Sequence, residues 1–548
     1  MLIATVRRKV MLKSLFEYVR INLFVKIAEH IKMRWIMKKY DAIVVGSGCA
    51  GLAASLEMII SGKKTLLIEK HNLPGGCASS FCRGRFEFEP SLHELCGVGP
   101  ESNPGGVRKL FADYGVEVKW QRVDDCFRCI STYSDGSPMD VTLPAGVDAF
   151  ISKTEEYVPG SREKMTEFFE LLREVNELTE YLESPKISPS YLLKSFGNVF
   201  RTAGYSSEEV FDAIGLPQKC KDILSVYWSY LGVDMKHLSF FHYASMVYSY
   251  VTLGAYIPSH TSHEISNAML ERFRSLGGEI MFNCRAEEFL FDGDRCCGVK
   301  TNAGDFCADV VFANINPDII YGKMMPKNLV PAREKKLSAA RNRDFGARMF
   351  TVYLGLNKSA QELGIKDYSI FLADSADSER EFNSMKKANT NNYSIFLCYN
   401  LANPASSPEG TAMCSFTTMF TSAEDWNNVS DEEYFKLKNR IAKKIINNFE
   451  DKTGISLTPY IEEISIASPL TFARYLGVPE GSVYGYMTKD WDSILSRTVS
   501  QAADFPIKGL KPIGTSGLRG DGYSSAYMCG SIVAKAALKE LNEKGGNK

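Results

Sequence analysis

The stretch Tyr40-Asp41-Ala42-Ile43-Val44-Val45-Gly46-Ser47-Gly48-Cys49-Ala50-Gly51-Leu52 decides the fold. Ala42 to Val45 is a short apolar run suited to a parallel strand buried on both faces. Gly46 permits a tight turn, Gly48 lets the backbone approach a pyrophosphate, and Gly51 lets the next helix pack close to the strand. That helix, expected from Ala50 to about Ser61, points the positive end of its dipole at the phosphates. A lone G-x-G-x-x-G says little, but between a strand and a helix it is a dinucleotide fingerprint. A second apolar strand, Thr65 to Ile68, ends in Glu69, whose carboxylate is placed to accept from ribose hydroxyls.

Working outward, Glu69-Lys70 is followed by Gly75-Gly76, a pair that lets a loop lie flat against a cofactor. Then come Phe86, Phe88, Glu89, Pro90, Ser91 and His93. Farther on, Gly254-Ala255-Tyr256-Ile257-Pro258 precedes a helical stretch, and Ala308 to Asn314 reads as another buried strand. Near the C-terminus, a strand ends at Gly514-Thr515, and Gly520-Asp521-Gly522-Tyr523-Ser524 opens a helix to about Leu541. These segments together resemble the phytoene desaturase, carotenoid isomerase and retinol saturase family, within the amine oxidase-like flavoproteins.

The resemblance implies an α/β fold: a Rossmann-like, doubly wound FAD-binding domain and an α+β substrate domain. The FAD-binding domain is expected from three separated segments, 37–120, 255–330 and 500–548. The substrate domain is expected from 121–254 and 331–499, with a helical part at about 160–254 and an antiparallel sheet at about 345–490. Gly46, Gly48, Gly51, Glu69, Lys70, Gly75, Gly76, Gly514, Thr515, Gly522, Tyr523 and Ser524 are the expected contacts to non-covalent FAD. A backbone group near Glu287 would meet the adenine. The chain departs from the family pattern at Pro90-Ser91, at Ser259-His260-Thr261-Ser262-His263 and at Thr515.

The implied chemistry is a redox or isomeric change at carbon–carbon double bonds of an apolar, isoprenoid-like substrate. A reductase needs a proton for the second carbon, and His93, His260 and Tyr523 are the candidate donors. A flavin amine oxidase and a catalytically idle flavin-binding protein are the alternatives. No second nucleotide fingerprint is visible, which leaves the electron partner open. No metal-spaced His/Cys cluster is found; His260 and His263 at i, i+3 are a weak signal, and no metal is expected.

Composition narrows the class. Of 548 residues, 45% are apolar and 24% charged, values that exclude disordered and fibrous chains. A net charge of −1 gives no field to recruit nucleic acid. Residues 1–39 carry ten Lys/Arg against two Glu, so a basic arm, residues 1–36, precedes a mildly acidic body. No apolar run in the arm is long enough to span a bilayer. It reads as an interfacial amphipathic anchor, as a surface helix, or as sequence upstream of a start at Met37. The 14 cysteines are scattered, which predicts reduced thiols in a cytoplasmic protein, with peripheral membrane contact as a further reading. Cys126 and Cys129 form the C-x-x-C and read as ordinary core residues.

Residues 161–186 have helical apolar spacing. Residues 227–256 are crowded with aromatics, among them Tyr227, Trp228, Phe240, Tyr243 and Tyr250. They read as a buried core or as the wall of an apolar tunnel or membrane-resting surface.

Overall fold

The computed structural model describes residues 38–182, 187–341, 345–487, 507–514 and 522–546. The basic arm and Thr515 lie outside the described residues.

The fingerprint folds as its residue types dictate. Strand β1, Lys39–Val45, has Ala42, Ile43 and Val44 wholly buried, because both of its faces are covered. Helix α1, Cys49–Ile60, follows at once. Strand β2, Thr65–Ile68, lies parallel to β1, with Ala42 opposite Thr65 and Val45 opposite Ile68. Helix α2 spans Ser262–Ser275, and strand β3, Glu279–Met281, extends the sheet beyond β2. Strand β4, Gly304–Ala313, pairs in parallel with the other side of β1. The last strand, β5, is Leu510–Pro512; it joins β4 in parallel before helix α3, Gly522–Gly546. The parallel order is therefore β3-β2-β1-β4-β5, drawn from chain segments far apart in sequence.

One face of this sheet packs on helices. Ala42, Val44 and Leu67 meet Leu52 and Leu56 of α1, Ile265 and Met269 of α2, and Tyr527 and Val533 of α3 in one apolar cluster. The other face puts Ile43, Val45, Leu66 and Ile68 against Phe289 and Val299 of an antiparallel ribbon. That ribbon, residues 286–301, runs directly into β4.

A second sheet has seven strands, with residues in the order 461–467, 348–356, 412–420, 394–398, 369–372, 125–132 and 138–144. All its pairs are antiparallel except 369–372 with 125–132. The hairpin 125–144 thus joins strands more than 200 residues downstream, a pairing that no local pattern announces. Cys126 and Cys129 are core residues within it. Residues 162–182 form the expected amphipathic helix, burying Met165, Phe168, Leu172 and Val175.

The aromatic stretch 227–256 is interior. Tyr227, Trp228, Phe240, Tyr243 and Tyr250 are all buried against the second sheet and the helix 162–182. The reading of this stretch as a membrane-resting surface is therefore corrected: its rings face inward, where neighbouring elements cover them.

Candidate functional site

The phosphate turn is built by close backbone approach. Gly46 takes φ +94°, and a Cβ on Gly51 would stand 1.9 Å from the Gly46 carbonyl oxygen, so the start of α1 rests directly on the turn. Gly48 caps α1 in extended conformation, with no side chain capping the helix and no acidic residue in its first turn. The N–H groups at that end therefore point out with no side chain of the helix itself set against an anion. Glu69 accepts from Ser47 N at 2.8 Å, from Ser47 Oγ at 2.6 Å and from His71 N at 2.9 Å. Its carboxylate thus tethers the turn to the end of β2.

Gly75 donates its N–H to the Ser47 carbonyl at 2.9 Å and forms a parallel bridge with Gly48. A Cβ on Gly75 would meet Ala78 O at 1.9 Å, and one on Gly76 would touch the Gly48 Cα at 3.4 Å. The Gly75-Gly76 loop therefore lies flat beside the phosphate turn. Lys70 is exposed, with its Nζ 2.9 Å from where a Gly477 Cβ would stand.

One residue escaped the sequence reading. The Asn314 amide sits between the phosphate turn and the end of β5: added Cβ atoms would stand 2.9 Å from its Nδ2 at Gly48 and 2.3 Å from its Oδ1 at Gly514. Its position right after β4 was the available signal. A bare helix N-terminus, glycines that leave no room for a Cβ, and a buried carboxylate at the end of the second strand fit an adenine dinucleotide.

Beside this groove lies the loop 89–97. Glu89 is buried and accepts from Ser91 N, Leu92 N, Ser262 N and Ser262 Oγ, so it ties the loop to the start of α2. Burial pushes its carboxyl up to about 7 despite these bonds.

The loop's carbonyls are then taken up by tyrosines from the second sheet and the helical stretch 227–256. Tyr353 donates to Pro90 O at 2.6 Å, Tyr399 to Leu92 O at 2.9 Å and Tyr250 to Glu94 O at 3.4 Å. Tyr368 donates to His93 O. On the other side, Tyr523 of α3 shares a hydrogen bond with Ser91 Oγ at 2.9 Å and donates to Cys77 O at 3.0 Å. Ser524 donates to Cys96 O at 2.7 Å. The Pro90-Ser91 departure thus sits in a loop held by hydroxyls from both sides. These tyrosines are scattered through the sequence, and only their convergence reveals them.

The three expected proton donors do not share one place. His93 packs edge-on against Tyr230, 5.6 Å between ring centroids, and burial lowers its imidazole to about 4, so it is neutral near pH 7. Tyr523 lies across the same loop, its phenol pushed well above 10 by burial. His260 is different: its side chain is 71% exposed, and its partner is Glu264 one helical turn on. It stands outside the tyrosine-bound loop, because Thr261 and Ser262 turn inward to Glu87 and Glu89 instead. His263 bonds Ser80 Oγ through Nδ1 at 3.1 Å. Gly522 opens α3 with φ +74° and is exposed. Among the described residues no group of three His, Cys, Asp or Glu is arranged to hold a metal.

The model of the flavin containing amine oxidoreductase family matches residues 49–457. The chain belongs to that family. It is an FAD-dependent oxidoreductase with the expected α/β, Rossmann-like fold. The all-trans-retinol 13,14-reductase of Danio rerio is 24% identical over 537 residues, 91% of this chain and 86% of that protein. Prolycopene isomerase 2, chloroplastic, of an Oncidium hybrid cultivar is 24% identical over 527 residues, 92% of this chain and 84% of that protein. Among solved structures, an oxidoreductase from Methanosarcina mazei superposes with a TM-score of 0.62 at 13% identity, covering 91% of this chain and 100% of that one. A putrescine oxidase variant does so with 0.58 at 12%, covering 92% and 99%. At these identities the superpositions speak to the fold alone. No helix of the described residues is long and apolar enough to cross a membrane.

Proposed function

We propose that this flavoenzyme acts on carbon–carbon double bonds of an apolar, polyene or isoprenoid-like substrate, by saturation, isomerisation or desaturation. The observation that carries the reading is the aromatic wall facing the loop 89–97. Tyr227, Tyr230, Tyr250 and Phe371 pack ring to ring at 5.3 to 6.1 Å directly behind Glu94. Such a wall suits a long apolar molecule. The names of the retinol reductase and prolycopene isomerase relatives support the same class.

FAD, when bound, supplies the two-electron chemistry. In this reading segments 37–120, 255–330 and 500–548 hold it, and 121–254 with 331–499 hold the substrate. Gly46, Gly48, Gly51, Gly75 and Gly76 give its pyrophosphate backbone contact, with Glu69 and Lys70 at the ribose end. Gly514, Thr515, Gly522, Tyr523 and Ser524 meet the flavin end, where the α3 N-terminus favours negative charge. The tyrosine-bound loop fixes the aromatic wall beside the flavin and excludes water.

An apolar substrate also calls for a route from lipid. Among the described residues, six of the thirteen exposed large apolar side chains are Leu182, Ile187, Tyr191, Leu193, Phe200 and Tyr205. The helix Pro189–Ser195 buries none of its residues. Residues 187–205 contain Lys194 and Arg201 and no acidic residue. This surface supports peripheral contact with an anionic bilayer.

The test is anaerobic incubation of oxidised and dithionite-reduced enzyme, separately, with polyenes, retinoids, enones and amines, read by mass. A two-hydrogen gain marks a saturase, a two-hydrogen loss a desaturase, and a shifted retention at constant mass an isomerase. Turnover confined to amines overturns the reading in favour of an amine oxidase.

A further inference from the structure

We propose that the Glu94 carboxyl, positioned by Tyr230, is the group that gives or takes the substrate proton in this site; the proposal rests on the double-bond chemistry above. Glu94 is 6% exposed, on the loop that joins the α3 N-terminus to the aromatic wall. Its Oε1 accepts from the Tyr230 hydroxyl at 2.6 Å. Its Oε2 is buried and, among the described residues, has no hydrogen-bond partner. A buried carboxyl oxygen with nothing to bond is costly unless it serves a ligand or carries a proton.

The neighbouring acid on the same loop makes the contrast. Both oxygens of Glu89 are saturated by Ser91, Leu92 and Ser262, so Glu89 is a tie between elements. Only one oxygen of Glu94 is held. The other is left for something that arrives.

Two carboxyls of this loop, Glu89 and Glu94, are raised to about 7, and of the two only Glu94 keeps an oxygen without a partner among the described residues. On its own loop, His93 is held down to about 4 and the Cys96 thiol is raised. From the packed elements come Tyr227, Tyr230, Tyr250 and Tyr368, all raised well above 10, and Cys126, raised to about 12. Glu94 itself is pushed up to about 7 by burial, drawn back in part by the Tyr230 bond. No Lys or Arg acts on it among the described residues. An acid poised near the working pH is the efficient one for proton transfer.

In the saturating direction the Oε2–H bond breaks and a C–H bond forms on the carbon next to the one that receives the hydride of reduced FAD. The carboxylate left behind is reprotonated from solvent. In the desaturating direction Oε2 takes that proton and the hydride leaves to oxidised FAD.

The experiment uses the full chain with FAD, as wild type, Glu94→Gln and Tyr230→Phe. Infrared difference spectra over a pH titration, without substrate, read the carboxyl directly. The protonated-acid band lost near neutrality in wild type should lack one component in Glu94→Gln, with those of Glu89 and Glu381 remaining. Tyr230→Phe removes a bond that favours the carboxylate, so its midpoint moves to higher pH. With a substrate that wild type converts, Glu94→Gln is expected to lose roughly 10²- to 10⁴-fold in turnover at unchanged FAD content. The pH limb of Tyr230→Phe turnover should move with its infrared midpoint. Should Glu94→Gln purify without FAD, the Tyr230→Phe shift decides alone. Glu94→Gln turnover within about twofold of wild type, or a Tyr230→Phe profile that stays put, overturns the proposal. Wild type inactive on every polyene overturns the double-bond reading instead.

Discussion

Tyr230 and Glu94, 136 residues apart, meet through a 2.6 Å hydrogen bond from phenol to carboxyl. The bond joins the helical stretch 227–256 to the loop 89–97. Tyr250 reinforces it from the turn before residue 254, through the Glu94 carbonyl. The loop 89–97 is therefore set by the helical stretch 227–256 and the second sheet as much as by helix α3.

The glycine turn makes the first prediction. Gly51→Ala places a Cβ 1.9 Å from the Gly46 carbonyl, and backbone cannot yield there without opening the turn. The variant should purify with little FAD and a lowered Tm. Gly48→Val, whose Cβ would press on the Asn314 amide and fill the pyrophosphate approach, should lose the flavin absorbance too. Stoichiometric FAD in either would remove the turn from the cofactor site.

The tyrosine-bound loop makes the second. Tyr399→Phe leaves the Leu92 carbonyl without its donor in a buried place. A loss of about 1–3 kcal/mol is expected, read as a lower denaturant midpoint. Release of FAD should quicken, since the loop also carries Ser91 and Cys96 against α3. An unchanged midpoint would show that the loop is held by other means.

A third concerns pH. Glu381 is 2% exposed, with Oε2 unbonded among the described residues, and burial beside Asp374 raises its carboxyl from 4.5 to about 7. The folded protein binds this proton more tightly than the unfolded chain. The stability it contributes is full below about 4.5 and is lost as pH rises to about 7 and beyond. Glu381→Gln removes that loss, so its Tm advantage over wild type should grow between about pH 5 and pH 8. The shift corresponds to at most about 3 kcal/mol. A Tm difference independent of pH would contradict it.

A fourth addresses lipid. Leu193→Glu with Phe200→Glu should abolish sedimentation with anionic vesicles while FAD content stays at the wild-type level, since both side chains are exposed. A chain starting at Met37 should still bind FAD. If that shorter chain alone fails to sediment, the basic arm and not the 187–205 surface holds the bilayer.

The dinucleotide half was legible because its signals are local. Strand, glycine turn, helix and acidic strand end follow one another within thirty residues, and each residue type has one physical reason to be there. The aromatic stretch 227–256 was ambiguous for the opposite reason. Rings at that density suit a core and an exposed apolar surface equally, and only the elements packed over them settle which. Among the described residues, exposed apolar side chains gather instead at 187–205, where short helices bury little.

The sequence by itself determined the dinucleotide-binding α/β fold around β1, through the strand, glycine turn, helix and acidic strand end, and its resemblance to a flavoprotein family added FAD. The fold follows from backbone conformation and short-range spacing. Tertiary structure decided which acid stands free. Glu89 and Glu94 are five residues apart and both buried, yet Ser262, 173 residues downstream, completes the bonding of Glu89, and Tyr230 holds only one oxygen of Glu94. It also moved His260 to the surface and put Asn314 between the phosphate turn and β5. Hydrogen-bond satisfaction in a buried site depends on partners brought in by folding, and no local pattern of residues contains it.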